Sequence, residues 1–184
     1  LPGDGFLSYF RETAEVWEML AFVKLRAVGG DRTLGERVEF ETRRIIHDRA
    51  STIGVDTLRD ETVRVRHALE KQRARGRRGS DVDIKYGSGG MLDIYFAMRF
   101  LQLRDNVPDD GDDRSTAHVL EVLRKRNIVS SEDHRMLADG YKFLSELDHN
   151  IRLTVGRTTR VPFANESVMS TIAGRMKIPS ASEL

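Results

Sequence analysis

Between Asp83 and Phe96 the chain reads DIKYGSGGMLDIYF. Lys85 stands two residues before Gly87, with Gly89 and Gly90 close behind, and Asp93 interrupts the apolar run that follows. Two kinds of chemistry fit those residue types at that spacing. A glycine-rich loop entering a helix aims backbone N–H groups at one point, and together with the Lys85 ammonium it can hold an anion. Asp93, in the first turn of that helix, then faces a metal ion or a polar group of a substrate. The other reading is a tight turn, which Asp93 ties down by accepting from loop backbone or by pairing with Lys85. A carboxylate drawn toward a core needs such partners. The residues alone favour the turn, because Gly-Ser-Gly-Gly matches neither the phosphate-loop pattern nor the dinucleotide fingerprint.

The elements that must position these residues are helical. Met91 to Leu103 is apolar on nearly every side, as befits a helix in the middle of a bundle. At about 100° per residue, Asp93 shares a face with Ala97, Phe100 and Arg104, while Tyr95, Arg99 and Gln102 lie roughly opposite. Upstream, Phe10, Ala14, Trp17, Ala21, Leu25 and Val28 recur every three or four residues and predict one helix over 9–28. Val28-Gly-Gly-Asp31 ends it and offers Asp31 as the next N-cap. A second helix covers 34–50, with Phe40, Ile45 and Ile46 as apolar positions, and Leu58, Thr62, Val65 and Leu69 mark a third. RDNVPDDGDD is an exposed connection leading to a helix over 115–125. Leu137, Tyr141, Leu144, Leu147, Ile151 and Val155 form one long stripe, and Asn165 caps a short final helix. Only LTVGRTTRV carries β-branched density. The expected fold is an all-α bundle of about six to seven helices without a significant sheet.

Composition narrows the class further. The 184 residues are 39% hydrophobic and 32% charged, with a formal net charge of +1. So balanced a chain has no global field for nucleic acid or anionic membrane, and neither is expected as a partner. The absence of cysteine removes disulfides, thiolate metal sites and cysteine nucleophiles, and it suits a cytoplasmic setting. No apolar run reaches the roughly 20 residues that span a bilayer. The chain starts LPGDGFLSYF, without an initiating methionine, and reads as one helical domain over 1–184 cut from a longer multidomain protein. Within it, 1–80 carries the N-terminal helices and a basic linker, and 81–184 the glycine-loop helix and those after it.

DIKYGSGGMLDIYF resembles a motif of the glutamine synthetase adenylyltransferase family: acid–apolar–Lys, then Gly-x-Gly-Gly, two residues, and Asp-Ile-Glu-Phe. YFRETAEVWEMLAFVKLRAVGGDRTLG is similar to the family's Tyr-rich helix with a Trp-Glu pair, an Ala, an Arg and a Gly-Asp, which directly follows a nucleotidyltransferase core. GYKFLSELDHNIRLTVGRTTRVP resembles its later helix, with an aromatic–Leu segment, a His–x–x–Arg–Leu ending and a closing Pro. The three stand in family order over residues 9–162. Tyr95 departs from the pattern, since the family usually has Glu there.

The resemblance implies a role. Enzymes of this family attach AMP to a tyrosine of glutamine synthetase, and a paired domain removes it by phosphorolysis, under control of the PII signal protein and glutamine. This chain corresponds to the helical domain that follows a polymerase-β-type core in the same polypeptide. Lys85, Gly87, Gly89 and Gly90 are then expected at the nucleotide and Asp93 in catalysis, with ATP and Mg2+ serving the parent enzyme and none held tightly by this chain. Glutamine synthetase and PII are the expected partners. The PII uridylyltransferase family has a similar Lys…Gly-Gly…Asp segment, so a parent of that kind or an uncharacterised regulatory nucleotidyltransferase is the alternative, as is a helical interaction module that no longer takes part in catalysis.

Other residues imitate chemistry. Two-metal nucleotidyl transfer needs an Asp-x-Asp on a strand, some ten residues after a Gly-Ser. Gly79-Ser-Asp-Val-Asp83 holds both pieces, but adjacent and in a polar linker, so it reads as coincidence and the chain alone is expected to be inert. His47-Asp48 hints at a phosphohydrolase metal site, yet His67, His118, His134 and His149 are scattered, and surface or capping roles suit them better. Arg64, Arg66, Lys71, Arg73, Arg75, Arg77 and Arg78 lack interleaved aromatics and read as a solvated helix end.

Overall fold

The computed structural model describes residues 3–74 and 82–180. Within them eight helices follow in order: α1 (Gly3–Glu12), α2 (Val16–Phe22), α3 (Arg32–Thr52), α4 (Val55–Ala74), α5 (Met91–Arg104), α6 (Thr116–Lys125), α7 (Ser131–Thr154) and α8 (Glu166–Met176). The only β-type pairing among the described residues is one isolated antiparallel bridge, Asp83 with Arg160. The fold is all-α, and the β-branched stretch of the sequence supplies one side of that bridge.

The helix expected over 9–28 is two helices. Glu15 opens a capping box for α2, in which its own N–H donates to Glu18 Oε2 at 2.9 Å. A carboxylate three residues on that satisfies a free N–H starts a new helix, even where the apolar spacing runs through the junction. The register changes with the break. Met19, Leu20 and Val23 are buried, whereas Trp17 is 46% exposed and Val28 91%.

Two compact units make up the chain, and each is discontinuous in sequence. The first contains 3–65 and Phe96–Ser131. In it the Phe6, Phe10 and Phe22 rings pack with centroids 5.0 to 6.1 Å apart, and Arg49 Nη1 donates to the Phe10 carbonyl at 2.7 Å. Glu39 gathers three donors: it accepts from Ala27 N–H at 2.9 Å, Arg43 at 2.6 Å and Arg114 at 2.5 Å, and Arg114 also reaches the Leu25 carbonyl at 2.8 Å. Asp31 caps α3 through Leu34 N–H at 2.8 Å, as expected, and Ser115, where a helix over 115–125 is expected to begin, caps α6.

Two polar side chains in this unit are more buried than their types suggest. Arg99 is fully buried, where it donates to Gln102 and to Asp109. His47 is 5% exposed with neither ring nitrogen hydrogen-bonded, so it is a core residue and not the surface or capping histidine expected. Burial, followed by the nearby Arg43 charge, pushes its pKa below the ordinary 6.5.

The second unit contains the described part of Arg66–Tyr95 together with 132–180. Its core joins Leu147 and Ile151 of α7 to Met169 and Ile172 of α8, with Ile84 and Val161 from the connecting segments. Asn165 caps α8 as expected, accepting from Val168 N–H at 3.1 Å. Gly79, Ser80, Asp81, Arg75, Arg77 and Arg78 lie outside the described residues.

Candidate functional site

The glycine loop lies wholly in the second unit. It is a knot of backbone hydrogen bonds. Asp83 Oδ1 accepts from the N–H groups of Lys85 and Tyr86 at 3.0 and 2.8 Å, which folds the chain back on itself as Asp side chains do in turns. Gly87 N–H donates to the Asp83 carbonyl, Gly90 N–H to Gly87, Met91 N–H to Ile84 and Leu92 N–H to Lys85, all within 2.9 to 3.1 Å. Gly89 takes φ +73°, open to glycine at no steric cost. Gly90 answers to space instead: a Cβ there would lie 2.8 Å from the Ile84 carbonyl oxygen and 2.9 Å from that of Gly87.

Asp93 closes the knot. Its Oδ2 accepts from Gly89 N–H at 2.6 Å and its Oδ1 from Arg66 Nε at 2.5 Å. Arg66 Nη2 also donates to the Gly87 carbonyl at 2.8 Å. The partner of Asp93 is thus Arg66 of α4, not Lys85. Arg66 itself is 6% exposed, so it does not belong to the solvated basic cluster. The sequence held a signal for this. Leu58, Thr62 and Arg66 follow one another at four-residue spacing, and all three are buried. Arg64, by contrast, is exposed beside Glu61.

The geometry bears directly on anion binding. Every backbone N–H from Lys85 to Asp93, Ser88's excepted, already has an acceptor within the loop or its helix. A cradle of free amides is therefore not what this loop presents. It presents the Lys85 side chain, whose Nζ lies 5.5 Å from the centre of the Tyr86 ring. The Asp93 side chain remains 39% exposed, and a carboxylate with two bonded oxygens keeps lone pairs for further donors. Among the described residues no three His, Asp or Glu side chains converge as a metal set. One carboxylate neutralised by Arg66 is a poor fit for Mg2+, which needs several oxygen ligands. Tyr95 is half-buried, one turn beyond the loop.

Across the whole described chain no helix is long and apolar enough to cross a membrane. Comparison with known proteins gives a consistent set of relatives. A 161-residue stretch is 30% identical to the bifunctional glutamine synthetase adenylyltransferase/adenylyl-removing enzyme of Corynebacterium glutamicum, covering 86% of this chain and 15% of that protein. The enzyme of the same name from Mycobacterium avium is 30% identical over 169 residues, or 89% of this chain and 16% of its own length. That of Pseudomonas syringae pv. tomato is 28% identical over 166 residues, or 90% and 16%. The chain thus spans about a sixth of the length of the curated relatives it matches. The family model described as GlnD PII-uridylyltransferase matches residues 63–183, a span that contains the glycine loop, Asp93 and all of α7 and α8. On that match the chain belongs to the GlnD PII-uridylyltransferase family, as a helical domain like those of glutamine synthetase adenylyltransferases.

Proposed function

We propose that this chain is the helical module of a cytoplasmic nucleotidyltransferase that adds or removes AMP on glutamine synthetase, and so regulates nitrogen metabolism in response to PII. The observation that carries this reading is the pairing of extents: 86 to 90% of the chain aligns with bifunctional adenylyltransferases of which it forms only 15 to 16%. Such a module works beside a catalytic core in the same polypeptide, which supplies the metal-binding carboxylates and uses ATP and Mg2+. Alone, the module transfers nothing. In the intact enzyme Lys85, Gly87, Gly89 and Gly90 lie against the nucleotide. Asp93 holds that loop in shape through Arg66 and Gly89 and keeps acceptor capacity for a polar group at the reacting centre.

The test uses the intact parent enzyme. Lys85→Ala and Asp93→Asn are each expected to cut adenylyl transfer at least tenfold, about 1.4 kcal/mol on the barrier. Normal transfer by the double variant overturns the role given to both residues. A second reading, a PII uridylyltransferase-like parent, is favoured by the family model itself. Supplying UTP with PII, or ATP with glutamine synthetase, and following which protein takes up labelled nucleotide separates the two.

A further inference from the structure

A second feature of the same unit lies on the other side of Lys85. At the end of α7, Gly156 takes φ +106° and Thr158 N–H donates to its carbonyl at 2.8 Å, turning the chain sharply. The segment after the turn then pairs with the start of the glycine loop. Ile84 N–H donates to the Thr159 carbonyl and Val161 N–H to that of Val82, both at 3.0 Å, around the Asp83–Arg160 bridge. Ile84 and Val161 enter the core, while Lys85 and Arg160, each half-buried, line the cleft beside them. The two segments and the end of α4 enclose a cleft of about 490 Å3 lined by Arg73, Lys85, Tyr86, Arg152, Arg157 and Arg160.

Its charge is one-sided. Five of those six side chains are cationic, and Asp83, the one carboxylate among the described lining residues, is already accepting from two backbone amides. Asp148 engages Arg152 at 2.7 Å. Arg73 and Lys85 nevertheless crowd one aromatic ring, with the guanidinium carbon 4.7 Å and the ammonium 5.5 Å from the Tyr86 centroid. Like charges gathered this closely repel unless a counter-charge lies among them. The ring attracts both cations. The cations come from three separate stretches of chain, an arrangement suited to successive phosphate groups, each meeting a different guanidinium or ammonium.

We propose that this cleft binds the phosphate chain of a polyphosphate, inorganic or nucleoside-linked, and recognises the phosphates rather than a base. The inference goes beyond the transferase reading, because it concerns binding by this chain without a catalytic core.

Titration calorimetry on the 184-residue chain at low ionic strength tests it, with inorganic tripolyphosphate, ATP and orthophosphate as probes. Tripolyphosphate and ATP are expected to bind once per chain with affinities within about threefold of each other, and orthophosphate about tenfold or more weaker, because it meets fewer cations. Arg157→Glu and Arg73→Glu, both exposed, should each weaken tripolyphosphate about tenfold and steepen no other property, while Arg32→Glu in the first unit changes nothing. Unaltered circular dichroism shows that the variants fold. Three results overturn the proposal: no saturable binding, binding indifferent to Arg157→Glu and Arg73→Glu, or ATP more than about tenfold tighter than tripolyphosphate, which moves recognition to the base. Lys85 and Asp93 stay intact throughout, so their failure as transfer residues leaves this binding standing, and loss of this binding leaves the transferase reading standing.

Discussion

Arg66 and Asp93, 27 residues apart, are joined by a 2.5 Å hydrogen bond that ties the second half of α4 to the glycine loop. The same guanidinium also holds the Gly87 carbonyl, so one buried side chain fixes both ends of the turn. Lys85, the residue that charge and spacing alone suggest as the partner, is elsewhere.

Stability separates the two. Asp93→Asn should cost about 1–3 kcal/mol in urea denaturation, since the buried Arg66 is left with only Glu70, 3.5 Å away, as counter-charge, and Arg66→Ala a similar amount. Lys85→Ala, at a half-buried side chain that makes no bond to Asp93, should change stability by less than either. A double-mutant cycle should show Arg66 and Asp93 coupled and Lys85 and Asp93 independent. Coupling of Lys85 to Asp93 would contradict the geometry.

Glu39 makes stability depend on pH. Burial by itself would raise its pKa, but the Ala27 N–H, Arg114 and Arg43 outweigh burial and bring it down from 4.5 to about 2. A carboxylate whose folded pKa is depressed contributes stability above its unfolded value and loses it as pH falls through the folded one. The contribution is therefore complete above about pH 4.5 and disappears toward about pH 2. Thermal melts across that window should fall more steeply for the native chain than for Glu39→Gln. The variant should be less stable at pH 7 by about 1–3 kcal/mol and nearly equal at pH 2. Parallel pH profiles would show that Glu39 is not the group responsible.

The two loop glycines should respond differently to alanine. At Gly89 nothing lies within 4 Å of an added Cβ, so only the positive φ is penalised, about 1–2 kcal/mol. At Gly90 the methyl meets two carbonyl oxygens under 3.0 Å, and the backbone itself has to move. Gly90→Ala should therefore melt lower than Gly89→Ala. The reverse order would place the strain in the torsion rather than in the close approach.

Much of the architecture was readable from side chains that act locally. Asp31, Ser115 and Asn165 each bond the N–H three residues on, and their helices begin where those side chains place them. The apolar spacing from Phe10 to Ala21 continues across the α1–α2 break and hides it, while the signal that wins, Glu15 with Glu18, is polar. The glycine loop was legible as a turn with Asp93 on its backbone. Its partner was not, because Arg66 looks on paper like its basic neighbours. Burial of His47 and Arg99 depends on which helices meet them, and no local pattern in the sequence encodes that, whereas for Arg66 the four-residue spacing from Leu58 and Thr62 is the sequence cue.

The interleaving of the two units also sets an order of synthesis. The first unit begins with the earliest residues but needs Phe96–Ser131 to finish, and the second begins at Arg66 but needs α7 and α8. Neither can close while the chain is being made until well past the glycine loop, so α1 to α4 emerge with their apolar faces waiting for partners not yet translated. Domains usually fold as contiguous stretches, N-terminal first; here a cut at residue 80 would leave two halves of two units rather than one of each. Any shortened version of this protein has to keep α1 to α6 to preserve the first unit, and cannot obtain the second from residues 81 onward alone.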